Sequence, residues 1–152
     1  MLAAPRQLDF LDDLQPVDTP VHAEPSPPML RQVRQRRGAR AYRTGQFAED
    51  GAAAHYVARG GRILERRYRV AEGEIDLIAE LGGVLVFCEV KARRTLAEAG
   101  EAILPRQWQR LEQAANRYMM EHNVGAATDM RFDVILVDRA GRMEVVENAH
   151  LE

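Results

Sequence analysis

The sequence predicts an α/β fold in which a central mixed β-sheet is flanked by helices. Three observations carry this. Two runs with strand character, Glu74 to Glu80 and Val84 to Lys91, meet at Gly82-Gly83, a dipeptide that accepts the positive φ angles of a tight hairpin. Helical periodicity lies on either side of that hairpin, first ahead of Gly60-Gly61 and again after Pro105. The 152 residues, 46% hydrophobic and 29% charged, suffice for one domain with a sizeable core.

Residues 1–30 hold six of the seven prolines and read as an acidic, Pro-rich flexible arm. Asp9, Asp12, Asp13, Asp18 and Glu24 against Arg6 give this arm -4, which leaves +2 for the rest of a chain whose net charge is -2. Residues 31–43 carry six arginines and no acid, and read as a linker or as the start of the first helix. Such a run can meet a phosphate backbone, or can lie solvated and neutralised by the acidic arm. The predicted domain covers residues 44–150. Its first helix runs from about Thr44 to Arg59, with Phe47, Ala48, Gly51, Ala52, His55 and Tyr56 on a narrow face suited to packing on a sheet. Gly60-Gly61 stops it.

Ile63 to Arg69 reads as a polar edge strand, and the Gly82-Gly83 hairpin follows. A second helix spans Pro105 to about His122, with Pro105 in a first turn whose amide donors are unused anyway. Trp108, Leu111, Ala115, Tyr118, Met119 and His122 form its apolar stripe, so Trp108 reads as core rather than as a platform for stacked bases. Met130 to Val137 and Met143 to Val146 complete the sheet. Cys88 is the only cysteine, which excludes an intrachain disulfide and a Cys-rich zinc site and favours a reducing compartment. No run approaches the ~18 apolar residues of a membrane span. The expected location is the cytoplasm.

The chain has 21 basic residues, and Lys91 is its one lysine. An ammonium is a compact charge whose pKa moves on desolvation, whereas a guanidinium is a permanently charged fork. If Gly82 and Gly83 form a two-residue loop, paired positions sum to 165 and Asp76 falls opposite Glu89, with Cβ atoms ~5 Å apart on one face. Lys91, two residues beyond Glu89, shares that face. Two facing carboxylates repel by ~3 kcal/mol at ~5 Å and an effective dielectric of 20. A divalent cation reverses the sign: oxygen ligands from Asp76, Glu89 and the Val90 carbonyl, with retained waters, suit Mg²⁺. The alternative is a surface salt bridge between Lys91 and either acid.

These residues stand as Gly73-Glu74-Ile75-Asp76-Leu77-Ile78, a short turn, then Val86-Phe87-Cys88-Glu89-Val90-Lys91-Ala92-Arg93. The pattern closely resembles the YraN family of small bacterial proteins, whose sequences look like the PD-(D/E)xK, or restriction-endonuclease-like, nuclease superfamily. The resemblance takes in Gly45 to Glu49, Ala52-Ala53, Gly61 to Leu64 and Arg131 to Val134, and covers roughly residues 44–149. It implies a restriction-endonuclease-like fold, Asp76 and Glu89 as metal ligands for Mg²⁺ or Mn²⁺, and Lys91 as catalytic lysine. Glu49 matches the helical acid that approaches the metal or its water shell in this fold, and Glu74 is an outer candidate. Arg43, Arg93 and Gln107 are candidates for contact with nucleic acid. Two positions depart from the pattern: related sequences commonly carry an asparagine within the segment that here reads Glu65 to Arg69, and a Lys-Gln pair where this chain has Gln107-Trp108.

The implied activity is Mg²⁺-dependent hydrolysis of phosphodiesters in DNA, branched or structured DNA among the substrates, with no membrane role. A second reading is a non-catalytic nucleic-acid-binding or interaction module that keeps the nuclease fold. A third has the protein act only in a complex, with a protein partner or as a homodimer, the arginine run serving as docking element.

Overall fold

The computed structural model describes residues 27–151. The acidic arm read from the sequence lies outside the described residues as far as position 26. Two units divide between Gln35 and Arg36, and the second, residues 36–152, contains the whole sheet.

Helix α1 spans Pro27–Ala58, so it begins well before Thr44, and residues 31–43 are helix rather than linker. Arginine, glutamine and alanine are strong helix formers, and no proline interrupts the run after Pro28. The helix ends as expected. Gly60 takes φ 82°, and the Gly60 and Gly61 amides donate to the Val57 and Tyr56 carbonyls at 3.0 and 2.8 Å. Strands β1 (Arg62–Val70), β2 (Gly73–Leu81) and β3 (Val84–Ala92) follow. A short helix α2 (Leu96–Gly100), too brief for its periodicity to be read, precedes α3 (Pro105–Glu121), β4 (Met130–Val137) and β5 (Met143–Val146). Thr95 caps α2 by accepting the Glu98 amide.

The sheet has the order β1-β2-β3-β4-β5, antiparallel except for the parallel β3–β4 pair. This mixed five-stranded sheet with helices is an α/β arrangement consistent with a restriction-endonuclease-like domain. Across the hairpin every pair, from Leu81–Val84 to Leu77–Cys88, sums to 165, and Gly82 and Gly83 take φ 59° and 82°. The two-residue turn therefore sets the register that the sequence suggests.

Each face of the sheet is covered. Ala48, Ala52, Ala53 and Tyr56 of α1 pack on Leu77, Val86, Cys88 and Ile135, and small side chains let the helix approach closely. Phe47, expected on that face, is 73% exposed, because the face is centred on the 48/52/56 row and residue 47 lies about a quarter-turn away from it. On the other face Leu111, Ala114, Ala115 and Tyr118 of α3 meet Tyr68, Ile78, Leu85, Phe87 and Phe132. Trp108 is half-buried between this layer and the Ala99, Val134, Leu136 cluster under α2, in keeping with a packing role. Strand β4 is buried on both faces from Phe132 onward.

A buried carboxylate ties α1 to the sheet. Asp133 accepts from the Tyr56 hydroxyl at 2.9 Å and from the Asn148 amide at 3.0 Å, and pairs with Arg131 at 3.0 Å. With several donors the buried charge is compensated rather than orphaned. Cys88 is fully buried beside it; its thiol donates to the Glu89 carbonyl at 3.7 Å and is pushed up by burial.

The glycine that opens β2 has a steric role. A Cβ on Gly73 would lie 2.9 Å from the Arg110 carbonyl oxygen, so only a residue without one lets β2 pass this close under α3. We expect Gly73→Ala to cost about 1–3 kcal/mol by overpacking and to lower the melting temperature. Gly125→Ala, where a Cβ would meet nothing within 4 Å, is the control and should be near neutral. Equal melting temperatures for the two variants would contradict this account.

Candidate active site

The site forms where the sheet forks. The β2–β3 ladder ends at Leu77–Cys88; beyond it β2 continues with β1 alone, and β3 continues along β4, with Glu89 beside Val134 and Lys91 beside Leu136. Strand β2 also changes its facing there. Ile75 belongs to the α3-side core and Leu77 to the α1-side core, although two residues apart they should share a face. Arg66 pairs with Leu77 and Tyr68 with Ile75 in the same register, leaving Arg67 and Asp76 between them unmatched; the register shift of this ladder lies earlier, between Ile63 and Glu65. Arg67 has φ 52°, a left-handed conformation that costs a non-glycine residue about 1–2 kcal/mol. Its guanidinium holds Glu49 through Nε at 2.8 Å and Nη2 at 3.2 Å, a charge-assisted fork that offsets the strain.

With its strand turned aside, Asp76 uses its side chain where a backbone carbonyl would otherwise serve. Its Oδ2 accepts the Val90 amide at 2.8 Å. Glu89 and Lys91 extend the α3-facing row of Leu85 and Phe87. The Lys91 Nζ lies 2.6 Å from Glu89 Oε1, with side chains 11% and 12% exposed, so this is a desolvated ion pair rather than a surface bridge. Gln107, in the first turn of α3, completes the group. With its amide oriented to satisfy both ends, its nitrogen donates to the Ala102 carbonyl at 2.9 Å and its oxygen accepts from Lys91 at 3.0 Å. A cavity of about 230 Å³ opens over these groups, lined by Gly73, Asp76, Glu89, Gln107 and Arg110.

The acids are electrostatically crowded. Burial first, then the Glu89 charge, push the Asp76 carboxyl up to about 7; Glu49 adds to this, while the Val90 amide and Lys91 oppose it. Among the described residues no three His, Cys, Asp or Glu side chains converge to hold a metal. A cation here would have two protein carboxylates, Asp76 and Glu89, and would complete its shell with backbone oxygen and water. That donor set fits Mg²⁺, which retains several waters, better than an ion needing an all-protein cage.

The other sequence candidates fall as follows. Glu49 comes near enough to act on Asp76, but both its oxygens are engaged by Arg67. Glu74 is exposed, pairs with Arg69 at 3.1 Å and lines the rim of the cavity. Val90 meets Asp76 through its N–H, a contact distinct from the carbonyl ligand that the sequence suggests. Arg93 is exposed and donates to the Ala92 carbonyl; Arg43 is exposed on α1. Sequence reasoning does not single out Arg67. Its one signal is position: the segment Glu65 to Arg69, where an asparagine is common in related sequences, holds the left-handed residue, and asparagine tolerates that conformation best after glycine.

The raised Asp76 pKa gives stability a sign with pH. A free aspartate has a pKa of about 3.9, so between about 4 and 7 the folded chain keeps a proton that the unfolded chain has lost, and stability falls as pH rises through that window. Asp76→Asn should remove the effect. In a chelator, the variant should match the parent near pH 4 and exceed it at pH 8, by on the order of 2–4 kcal/mol. A pH-independent difference in denaturation midpoint would rule out this carboxyl as the cause.

Comparison with known proteins gives the family. The model of "Uncharacterised protein family UPF0102" matches residues 48–137, which include Glu49, Asp76, Glu89, Lys91 and Gln107. A UPF0102 protein of Ruegeria pomeroyi is 47% identical over 113 residues, 74% of this chain and 92% of its own length. One from Azorhizobium caulinodans is 46% identical over 127 residues, 84% of this chain and 95% of its own. One from Bradyrhizobium sp. ORS 278 is 50% identical over 97 residues, 64% of this chain and 69% of its own. With its fork, hairpin and second helix all inside the matched span, this chain belongs to the UPF0102, or YraN, family.

Proposed function

We propose that the protein is a metal-dependent phosphodiester hydrolase acting on DNA, with branched or structured DNA as the preferred class. The observation that carries this reading is the convergence of Asp76, Glu89 and Gln107 around one small cavity at the sheet fork, with Lys91 held between Glu89 and Gln107. When bound, Mg²⁺ or Mn²⁺ would offset the charge of a scissile phosphate as a Lewis acid. Asp76 and Glu89 would hold it. The Val90 amide fixes the Asp76 carboxylate through Oδ2, which would leave Oδ1 as the oxygen to meet a cation.

Lys91 has the chemistry of the reacting group. Its ammonium, fixed between Glu89 and Gln107, can stabilise charge developing on a phosphate oxygen or exchange a proton with an attacking water. Gln107 positions it: arginine in place of Lys91 would keep the charge but not the compact, deprotonatable head. Cytoplasmic placement belongs to the same proposal; no helix among the described residues is long and apolar enough to cross a membrane.

One observation favours a second reading, a non-catalytic nucleic-acid-binding or interaction module acting with a partner or as a homodimer. Glu89 is already paired with Lys91 and Glu49 with Arg67, so much of the acidic charge is balanced without a cation. The experiment is cleavage of linear, nicked, flap and four-way-junction DNA in Mg²⁺ or Mn²⁺, with calorimetric titration of each metal. We expect structure-dependent cleavage that falls at least a hundredfold in Glu89→Ala and Lys91→Ala, and metal binding weakened in Glu89→Ala. Cleavage unaffected by both substitutions would sink the site. Absent cleavage with no metal binding would leave the second reading.

A further inference from the structure

A second basic feature lies on the opposite face of β3 from the Glu89 and Lys91 side chains. An open groove of about 750 Å³ is lined by Arg37 and Arg40 of α1, Arg93 and Arg94 after β3, and Arg139 after β4. Helical spacing selects these two from the arginine run. Arg37 and Arg40 lie on the row continued by Ala41, Thr44 and Ala48, which turns toward the sheet, whereas Arg36 and Arg43 do not line the groove.

The opposite wall is held by backbone. The Arg93 amide donates to the Val137 carbonyl at 3.0 Å and the Arg139 amide to the Arg94 carbonyl at 3.3 Å, fixing three arginines beside one another. Glu49 is the one acid in the lining, and Arg67 neutralises it. Of the five arginines only Arg94 has a carboxylate partner among the described residues, Glu98 at 3.2 Å and exposed. Five guanidiniums around one groove repel each other, and a polyanion relieves that repulsion while releasing its own counterions.

We propose that this groove binds the phosphodiester backbone of a nucleic-acid strand, as a binding site contiguous with the acid cluster. The two meet at Val90 and Glu49. Val90 lines the groove while its amide holds Asp76, and Glu49 lines it while its charge acts on Asp76. Guanidinium forks grip phosphate oxygens in pairs and carry no base information, so the groove positions a strand without reading its sequence. The proposal takes nucleic acid as the polyanion from the proposed function, but does not need turnover.

The test is therefore binding without catalysis. Fluorescence anisotropy of labelled 30-nucleotide single-stranded and duplex DNA is measured with the full chain in EDTA across a salt series. Arg37→Gln/Arg40→Gln is compared with Arg34→Gln/Arg36→Gln, which removes the same charge from the same helix. We expect the groove pair to weaken binding at least tenfold and to reduce the log–log salt slope by about two, against threefold or less for the control pair. Arg139→Gln, on the other wall, should reduce the slope by about one. Melting temperatures within 2 °C of the parent show that each variant is folded.

Equal losses in the two double variants, unchanged binding in the groove pair, or no binding by the parent at low salt would overturn the proposal. Binding that follows the groove without any metal-dependent cleavage would defeat the hydrolase reading alone.

Discussion

The hydrogen bond from the Val90 amide to Asp76 is the contact on which the site depends. An unpaired buried amide is costly, so once β2 leaves β3 something must accept from Val90. A side-chain carboxylate does so only if its strand rotates. Arg67 supplies that rotation by adopting a left-handed conformation, and Glu49 holds Arg67 in it. The helical acid thus shapes the site through the backbone of a neighbouring strand as well as through its charge. Local strain, held by a charge-assisted fork beside a cluster of buried charges, is a recurrent arrangement at functional sites.

Burial sharpens the chemistry of the same residues. Lys91 and Glu89 neutralise each other at the fork, leaving Asp76 as the acid that carries the cost of desolvation. Its carboxyl accordingly titrates near neutrality rather than near pH 4. Such crowding is unfavourable and is relieved by any added positive charge. The fold also brings α3 in close over Gly73 so that Gln107 reaches Lys91, which makes the packing of one helix a condition for the placement of one ammonium.

Much of this is legible in the chain. Gly82-Gly83 fixes the loop length, and the loop length fixes a register that holds as far as Leu77 and Cys88, one residue short of Asp76 and Glu89; past that point the strands part and Asp76 meets the Val90 amide through its side chain. The strict alternation in β3 likewise places Lys91 beside Glu89. The change of facing in β2 between Ile75 and Leu77 is not legible, because it arises from an irregularity in the neighbouring strand. The start of α1 is legible only as one of two alternatives, linker or helix, for residues 31–43: the arginine-rich run lacks the apolar spacing by which helices are read, so Arg37 and Arg40 look like any other members of it. Phe47 misleads for the complementary reason, since an aromatic at nearly the right spacing belongs to a helix whose buried face is defined by alanines.

Cys88 sits one residue from Glu89, fully buried and hydrogen-bonded at the centre of the sheet, with its ionisation suppressed. Reactive thiols are exposed and readily ionised, and this one is neither. A thiol reagent therefore has access only when the strands around it separate. The single cysteine is in effect a clock for sheet opening: its alkylation rate reports how often the strand that carries Glu89 and Lys91 comes free of its neighbours, without a probe having to be introduced.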